Sequence, residues 1–252
     1  MIITSDNNFF TANKLKMLAM ALMFIDHFAL IFLPANTLLP MQLRFFGRIV
    51  APVICFFIAE GYCHTSNRGK YIARLLVLAL VSHIPFNIAF DLPLSPLKGT
   101  SVIWALAMGL IALTALKSTT IRGPLKLAIL LACCAFSYTA NWNFVAVLWI
   151  AAFGFFHGNF RRQMLAFCVI GIVFHLSLVY YRFGFSHWYQ IGIFLSIPLL
   201  ALYNGKLGQK SKILASGFYI FYPLHLLVLY LLHIGTSLIG TSLKEIISRL
   251  LV

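Results

Sequence analysis

Apolar runs separated by short, basic loops fill the chain from Leu15 to Gly235. Such runs leave few folds open. A bilayer's hydrocarbon core, about 30 Å thick, is crossed by about 20 apolar residues in helical form. A helix also satisfies its own backbone hydrogen bonds there. Read this way, the sequence predicts an all-α, polytopic membrane helical bundle of about nine helices, in a range of eight to ten. They cover Leu15–Leu33, Pro40–Cys63, Ile72–Phe90, Val102–Leu116, Leu125–Tyr138, Phe144–Phe156, Met164–Tyr180, Trp188–Tyr203 and Ile213–Gly235. The fifth and sixth are short. The amphipathic tail from Thr241 to Val252 reads either as a surface helix or as a tenth segment.

Composition agrees. Of 252 residues, 62% are hydrophobic and 10% charged, against about 25% charged in soluble domains. A water-soluble fold is excluded. The polar start, "MIITSDNNFFTANKLK", is unlike the basic leader of a signal peptide, so the first apolar run is expected to be retained. With no long linker or clear internal repeat, residues 1–252 read as one integral membrane domain.

The net charge of +14 invites a nucleic-acid partner, but the basic residues sit in loops rather than on one face. Thirteen of the nineteen Lys and Arg fall on one side if helices alternate: Lys14, Lys16, Arg68, Lys70, Arg74, Lys117, Arg122, Lys126, Arg161, Arg162, Lys206, Lys210 and Lys212. The opposite loops hold only Lys98 and Arg182 before the tail. The positive-inside rule then puts the N-terminus in the cytoplasm. The five cysteines form no CxxC or Cys/His zinc spacing and read as inert core residues, so no metal is expected.

Ionisable residues inside membrane helices face a bundle interior or an aqueous cavity and mark functional sites. Here they fall in one layer. At 1.5 Å of rise per residue, Asp26 and His27 lie about 15 Å into the first helix and His83 about 16 Å into the third. His225 lies about 18 Å into the ninth, and Arg48 about 18 Å from the cytoplasmic face in the second. Arg44 is one turn further out and shares a face with Arg48. Plainer roles are open to several of them. Arg48 suits a counter-charge for Asp26, and His83 suits a hydrogen bond to Asn87 at the Pro85 kink. His175 reads as structural, and Glu60 as a local partner of His64 or of loop cations. Tyr222 and His225 flank Pro223, so a kink there would turn both toward one cavity.

A carboxylate beside an imidazole fixes its tautomer and orientation. A histidine so held can deprotonate an amine or hydroxyl attacking a thioester, or carry the acyl group itself. An arginine nearby can stabilise the developing oxyanion. Adjacent helical residues point about 100° apart, so Asp26 facing Arg48 while His27 faces substrate is equally compatible.

These residues also carry a resemblance. "LKMLAMALMFIDHFALIF" (Leu15–Phe32), "LRFFGRIVAPVICFFIAEGYCHTSNRGKYIARLLVLALVSHIPFN" (Leu43–Asn87) and "FYIFYPLHLLVLYLL" (Phe218–Leu232) resemble the TraX family, whose named member is the F-pilin acetylase. The family is distantly similar to polytopic acyltransferases that O-acetylate surface polysaccharides. The carrying motifs are D-H in the first helix, G-R-x-x-x-P in the second and F-Y-x-x-H in the last. Between Asp91 and Lys212 only hydropathy and loop charge agree.

The resemblance implies a multi-pass acetyltransferase of a bacterial inner membrane. It would move acetyl from cytosolic acetyl-CoA to an amine or hydroxyl of a protein, glycan or lipid acceptor. By motif, Asp26, His27, Arg48 and His225 are its catalytic candidates, with Gly47 and Pro52 as shape residues. Arg44, His83, Asn87 and Tyr222 are candidates for substrate contact, and Arg68, Lys70 and Arg74 for the CoA phosphates. A proton-coupled transporter and a non-catalytic assembly protein are the competing readings.

Overall fold

The computed structural model describes residues 9–34, 37–95, 99–209 and 212–250, except the side chains of 212–215 and 238–250. The protein is all-α. Its elements are α1 (Ala12–Phe32), α2 (Leu38–Gly47), α3 (Val50–His64), α4 (Arg68–Ala89), α5 (Val102–Lys117), α6 (Gly123–Phe136) and α7 (Asn143–Phe155). There follow α8 (Phe160–Ile170), a π-helical turn (Gly171–Leu176), α9 (Ser177–Phe183), a 3-10 stretch (Gly184–Leu195), α10 (Ser196–Ala201) and α11 (Lys212–Leu250).

Local chemistry sets the starts. The side chains of Thr11, Asn67 and Asn159 accept from the backbone N–H groups of Lys14, Lys70 and Arg162, capping α1, α4 and α8. Pro124 opens α6, where a missing N–H costs nothing. In the second apolar run, Pro52 cannot donate to the carbonyl of Arg48 and its ring crowds that carbonyl. The run accordingly breaks at Arg48–Ile49, between α2 and α3.

The expected count of about nine membrane helices is not met. Among the described residues five helices are long and apolar enough to cross: Ala12–Phe32, Leu38–His64, Arg68–Ala89, Phe160–Ala201 and Ser216–Ser237. Two causes account for the difference. The predicted seventh and eighth helices belong to one helical run, Phe160–Ala201, which changes from α to π to 3-10 along its length. The predicted fourth, fifth and sixth are the shorter helices α5, α6 and α7. Their 16, 14 and 13 residues rise only about 20–24 Å, short of a 30 Å core. Apolar run length alone does not separate a spanning helix from a buried one. The predicted tail segment continues the backbone of α11 to Leu250, and its side chains lie outside the described residues. So do Lys98 and Lys210.

α5 and α7 form the centre. Leu106, Leu110 and Leu113 of α5 and Trp149, Ile150 and Phe153 of α7 are fully buried, and Val53 of α3 is buried in the same core. Outward, Val77, Leu80, Val81 and Ile84 of α4 and Ile220, Leu224 and Leu231 of α11 present apolar faces suited to lipid.

Backbone bonds tie each end together. At the basic end, Ala12 N–H donates to the Lys206 carbonyl (2.9 Å) and Asn204 N–H to that of Phe10 (3.0 Å). The Lys117 ammonium reaches the Phe155 carbonyl there. At the other end, Asn141 N–H donates to the Thr100 carbonyl (3.0 Å), fixing the start of α7 against that of α5.

Candidate active site

Asp26 and His27 of α1 are both buried and face different partners. The Asp26 carboxylate takes a 2.5 Å contact from Nη2 of Arg48, with Arg44 Nε 3.7 Å from its other oxygen. Gly47 makes this approach possible. A Cβ there would lie 2.5 Å from that of Asp26. Two guanidiniums around one carboxylate leave the buried cluster with a formal excess of one positive charge. Aromatic rings hold the cations in place: Arg44 lies over Tyr189 (4.7 Å to the centroid), and Arg48 over Trp142 (5.4 Å).

His27 pairs across to α11 instead. Its Nδ1 is 2.8 Å from Nε2 of His225, whose Nδ1 is 2.8 Å from the Phe221 carbonyl. The carbonyl can only accept, so His225 Nδ1 carries a proton and donates. With both rings neutral, His225 Nε2 must then accept from His27 Nδ1–H. His27 Nε2 keeps its lone pair. Phe221 stacks on His225 (4.6 Å), and Phe90 meets His27 edge-on (5.3 Å). A histidine locked in one tautomer by a second group is the usual arrangement of a general base.

His27 lines a cavity of about 730 Å³ together with Asp26, Arg48, Tyr222, Asn141 and Trp142. Toward the basic end the lining continues through Leu75, Tyr71, Arg74 and Tyr219 to Lys16, Asn13 and Gln209. Lys16 and His27 are eleven residues apart on α1, about 16 Å of helix rise. The cavity is therefore long, apolar along its walls and cationic at one end. A smaller cavity of about 280 Å³ meets it from the other side. Arg48, Asn141 and Trp142 line both, while Tyr138, His175, Arg182 and Gln190 line only the smaller.

Of the sequence-derived candidates, Asp26, His27, Arg48, Tyr222 and Arg74 line the larger cavity, as does Gly47. Arg44 and His225 stand behind it, in contact with Asp26 and His27 respectively. His83 and Asn87 pair with each other one helical turn apart (3.0 Å), and neither lines the cavity. Arg68, over the Tyr62 ring at 4.6 Å, and the exposed Lys70 do not line it either.

Sequence reasoning did not single out four residues of the cavity walls. From sequence Lys16 reads only as an orientation charge, although it lies inside the first apolar run. Asn141 and Trp142 sit at a polar break, "ANWN", that hydropathy treats as a loop. Trp142 holds φ +65°, uncommon for a bulky side chain and costing about 1–3 kcal/mol. His175, read as structural, stacks on Trp142 (4.8 Å) and is 3.2 Å from Gln190 Oε1. Its position in the π-helical turn, a local distortion frequent at functional sites, was not legible from sequence.

No solved structure matches the chain. A probable fimbrial assembly protein FimC, serogroup H1, of Dichelobacter nodosus is 30% identical over 240 residues, 89% of this chain and 96% of the relative. The family model described as TraX protein matches residues 11–233, from the capping threonine of α1 to beyond His225. The chain belongs to the TraX family.

Proposed function

We propose that the protein is an acyltransferase of a bacterial inner membrane, moving an acetyl group from acetyl-CoA to an amine or hydroxyl of an acceptor. The observation that most supports this reading is the chain Phe221 carbonyl–His225–His27. It supplies an oriented, neutral base in a long cavity with a cationic mouth. The basic loops at that end support a cytoplasmic mouth. Lys16 and Arg74 meet the CoA phosphates there, and the thioester reaches inward to His27.

In this reading the acceptor's nitrogen or oxygen attacks the thioester carbonyl as His27 Nε2 takes its proton. The carbonyl oxygen becomes anionic beside Arg48, whose cluster carries the spare positive charge. The tetrahedral adduct collapses, breaking the carbon–sulfur bond. The departing CoA thiolate recovers the proton from His27 Nε2. His225 accepts from Nδ1–H throughout and stabilises the transient imidazolium. Asp26 balances and aims Arg48. The smaller cavity, which shares Arg48 and Trp142 with the larger, admits the acceptor from the opposite side. The name of the FimC relative directs the first search for that acceptor to fimbrial subunits.

The test is His27→Ala in membranes supplied with labelled acetyl-CoA and the fimbrial fraction. General-base loss predicts about a 10²–10⁴-fold fall in acetyl transfer at normal protein level. Unchanged labelling would sink the assignment. The relative's name also favours a non-catalytic assembly role. That reading predicts no acetyl incorporation even with the unaltered protein.

A further inference from the structure

Away from the cavity, three metal-ligating side chains converge at the basic end. Glu60 and His64 are one turn apart at the end of α3, with His64 Nε2 3.2 Å from Glu60 Oε2. His157 comes from the turn between α7 and α8, and its Nε2 is 3.2 Å from Glu60 Oε1. All three ligand atoms lie within 4.8 Å of one another. Neither histidine is locked into the core, since their side chains are 68% and 34% exposed while that of Glu60 is 15% exposed. Glycine at 158 with φ +85° lets the chain turn sharply after His157 and aim it back at α3.

We propose that Glu60, His64 and His157 form a divalent transition-metal site, with zinc(II) as its first choice. Two imidazoles and one carboxylate are a typical zinc donor set, and three protein ligands leave the fourth position to water. Four-coordinate zinc with bonds of 2.0–2.1 Å places its ligands about 3.3 Å apart. Each histidine already stands at about that distance from one Glu60 oxygen, His64 from Oε2 and His157 from Oε1. A small turn of the carboxylate would present a single oxygen to both. Closing the His64–His157 gap needs only side-chain rotation of two partly exposed rings. On binding, metal bonds replace the two Nε2···O contacts. Any proton on Nε2 is released to solvent, and each neutral imidazole then carries its one proton at Nδ1. Magnesium and calcium, which prefer oxygen ligands, are disfavoured by the same donor set. The ion would pin the end of α3, whose first turns line the cavity, to the turn that starts α8. The spacing was invisible in the sequence because His157 lies far along the chain from the Glu60–His64 pair.

The test uses the full chain in detergent with a streptavidin-binding tag, since an oligohistidine tag would itself bind metal. After chelator treatment and dialysis, zinc(II) is titrated calorimetrically, and cobalt(II) serves as a spectroscopic probe. One equivalent of zinc should bind, with at least tenfold weaker binding in each of Glu60→Gln, His64→Ala and His157→Ala. Cobalt should give the intense visible bands of four-coordination, and zinc should raise the melting temperature of the unaltered protein but not of His157→Ala. Absence of stoichiometric binding, or binding unchanged in His157→Ala, would overturn the site. These readouts do not depend on acetyl transfer, so either proposal can fail alone.

Discussion

Replacing His225 by alanine tests whether it orients His27 or reacts itself. In the native arrangement His27 Nδ1–H has its acceptor 2.8 Å away, within a site that is only 8% exposed at His27 and 4% at His225. Alanine at 225 removes the acceptor. A buried donor left unpaired costs about 1–3 kcal/mol, and that cost falls on the one tautomer whose Nε2 can act as a base. At about 1.4 kcal/mol per tenfold, the productive fraction drops by about 5- to 150-fold. The loss should appear in kcat, with KM for acetyl-CoA little changed, because His225 does not line the cavity.

The assay is acetyl transfer in proteoliposomes, alongside melting curves to separate catalysis from folding. His225→Gln supplies the control, since its amide oxygen can accept from His27 while its NH₂ donates to Phe221. It should recover much of the lost rate. Two results would refute the reasoning. A His225→Ala enzyme as slow as His27→Ala would make His225 a direct participant. One as fast as the native protein would leave His27 needing no orienting partner.

The remaining predictions concern charge. Arg48→Ala leaves Asp26 paired with Arg44 alone, 3.7 Å away, and should destabilise the protein by less than the roughly 3–5 kcal/mol of a buried charge left with no partner. The double change Asp26→Leu with Arg48→Met should melt closer to the native protein while abolishing transfer. At the cavity mouth, Lys16→Ala and Arg74→Ala should each raise KM for acetyl-CoA by about tenfold or more, the loss of one charge-assisted hydrogen bond. kcat should be kept. Arg68→Ala should leave KM alone, and rates against donor concentration decide between them.

These charges also show how far the sequence could be read. Helix rise is nearly constant, so depth along each helix is calculable, and Asp26, His27, Arg48 and His225 do meet. Depth says nothing of rotation about the axis. His83, assigned to the same layer, turns to Asn87 on its own helix instead. For the same reason depth leaves the pairing of the adjacent Asp26 and His27 open, and packing decides it. Gly47 draws Asp26 toward α2, while His27 looks to α11. Loop cations were harder still. Orientation accounts for lysines and arginines whether or not they bind anything, so Lys16 and Arg74 had no mark distinguishing them from Arg68 and Lys70. The helix count failed where α5 and α7, apolar because they are buried by other helices, read like helices buried by lipid.

The motif in the second apolar run can be explained without any ligand. Glycine at 47 removes the Cβ that would collide with Asp26, and proline at 52 takes away the hydrogen bond that would close a straight helix over the Arg48 carbonyl. Between them, the backbone at Arg48 has φ −64° and ψ −18°, relaxed from ideal α geometry. The guanidinium then lies against Asp26 and under Trp142, at the boundary shared by both cavities. A straight helix with alanine at both positions could keep the arginine but not this approach. The forfeited backbone hydrogen bond, a net cost of about 1 kcal/mol, is small beside the several kcal/mol of an uncompensated buried aspartate. On these magnitudes the break in the helix is the cheaper solution. In the proposed reading, it also leaves Arg48 beside the path of the transferred acetyl group.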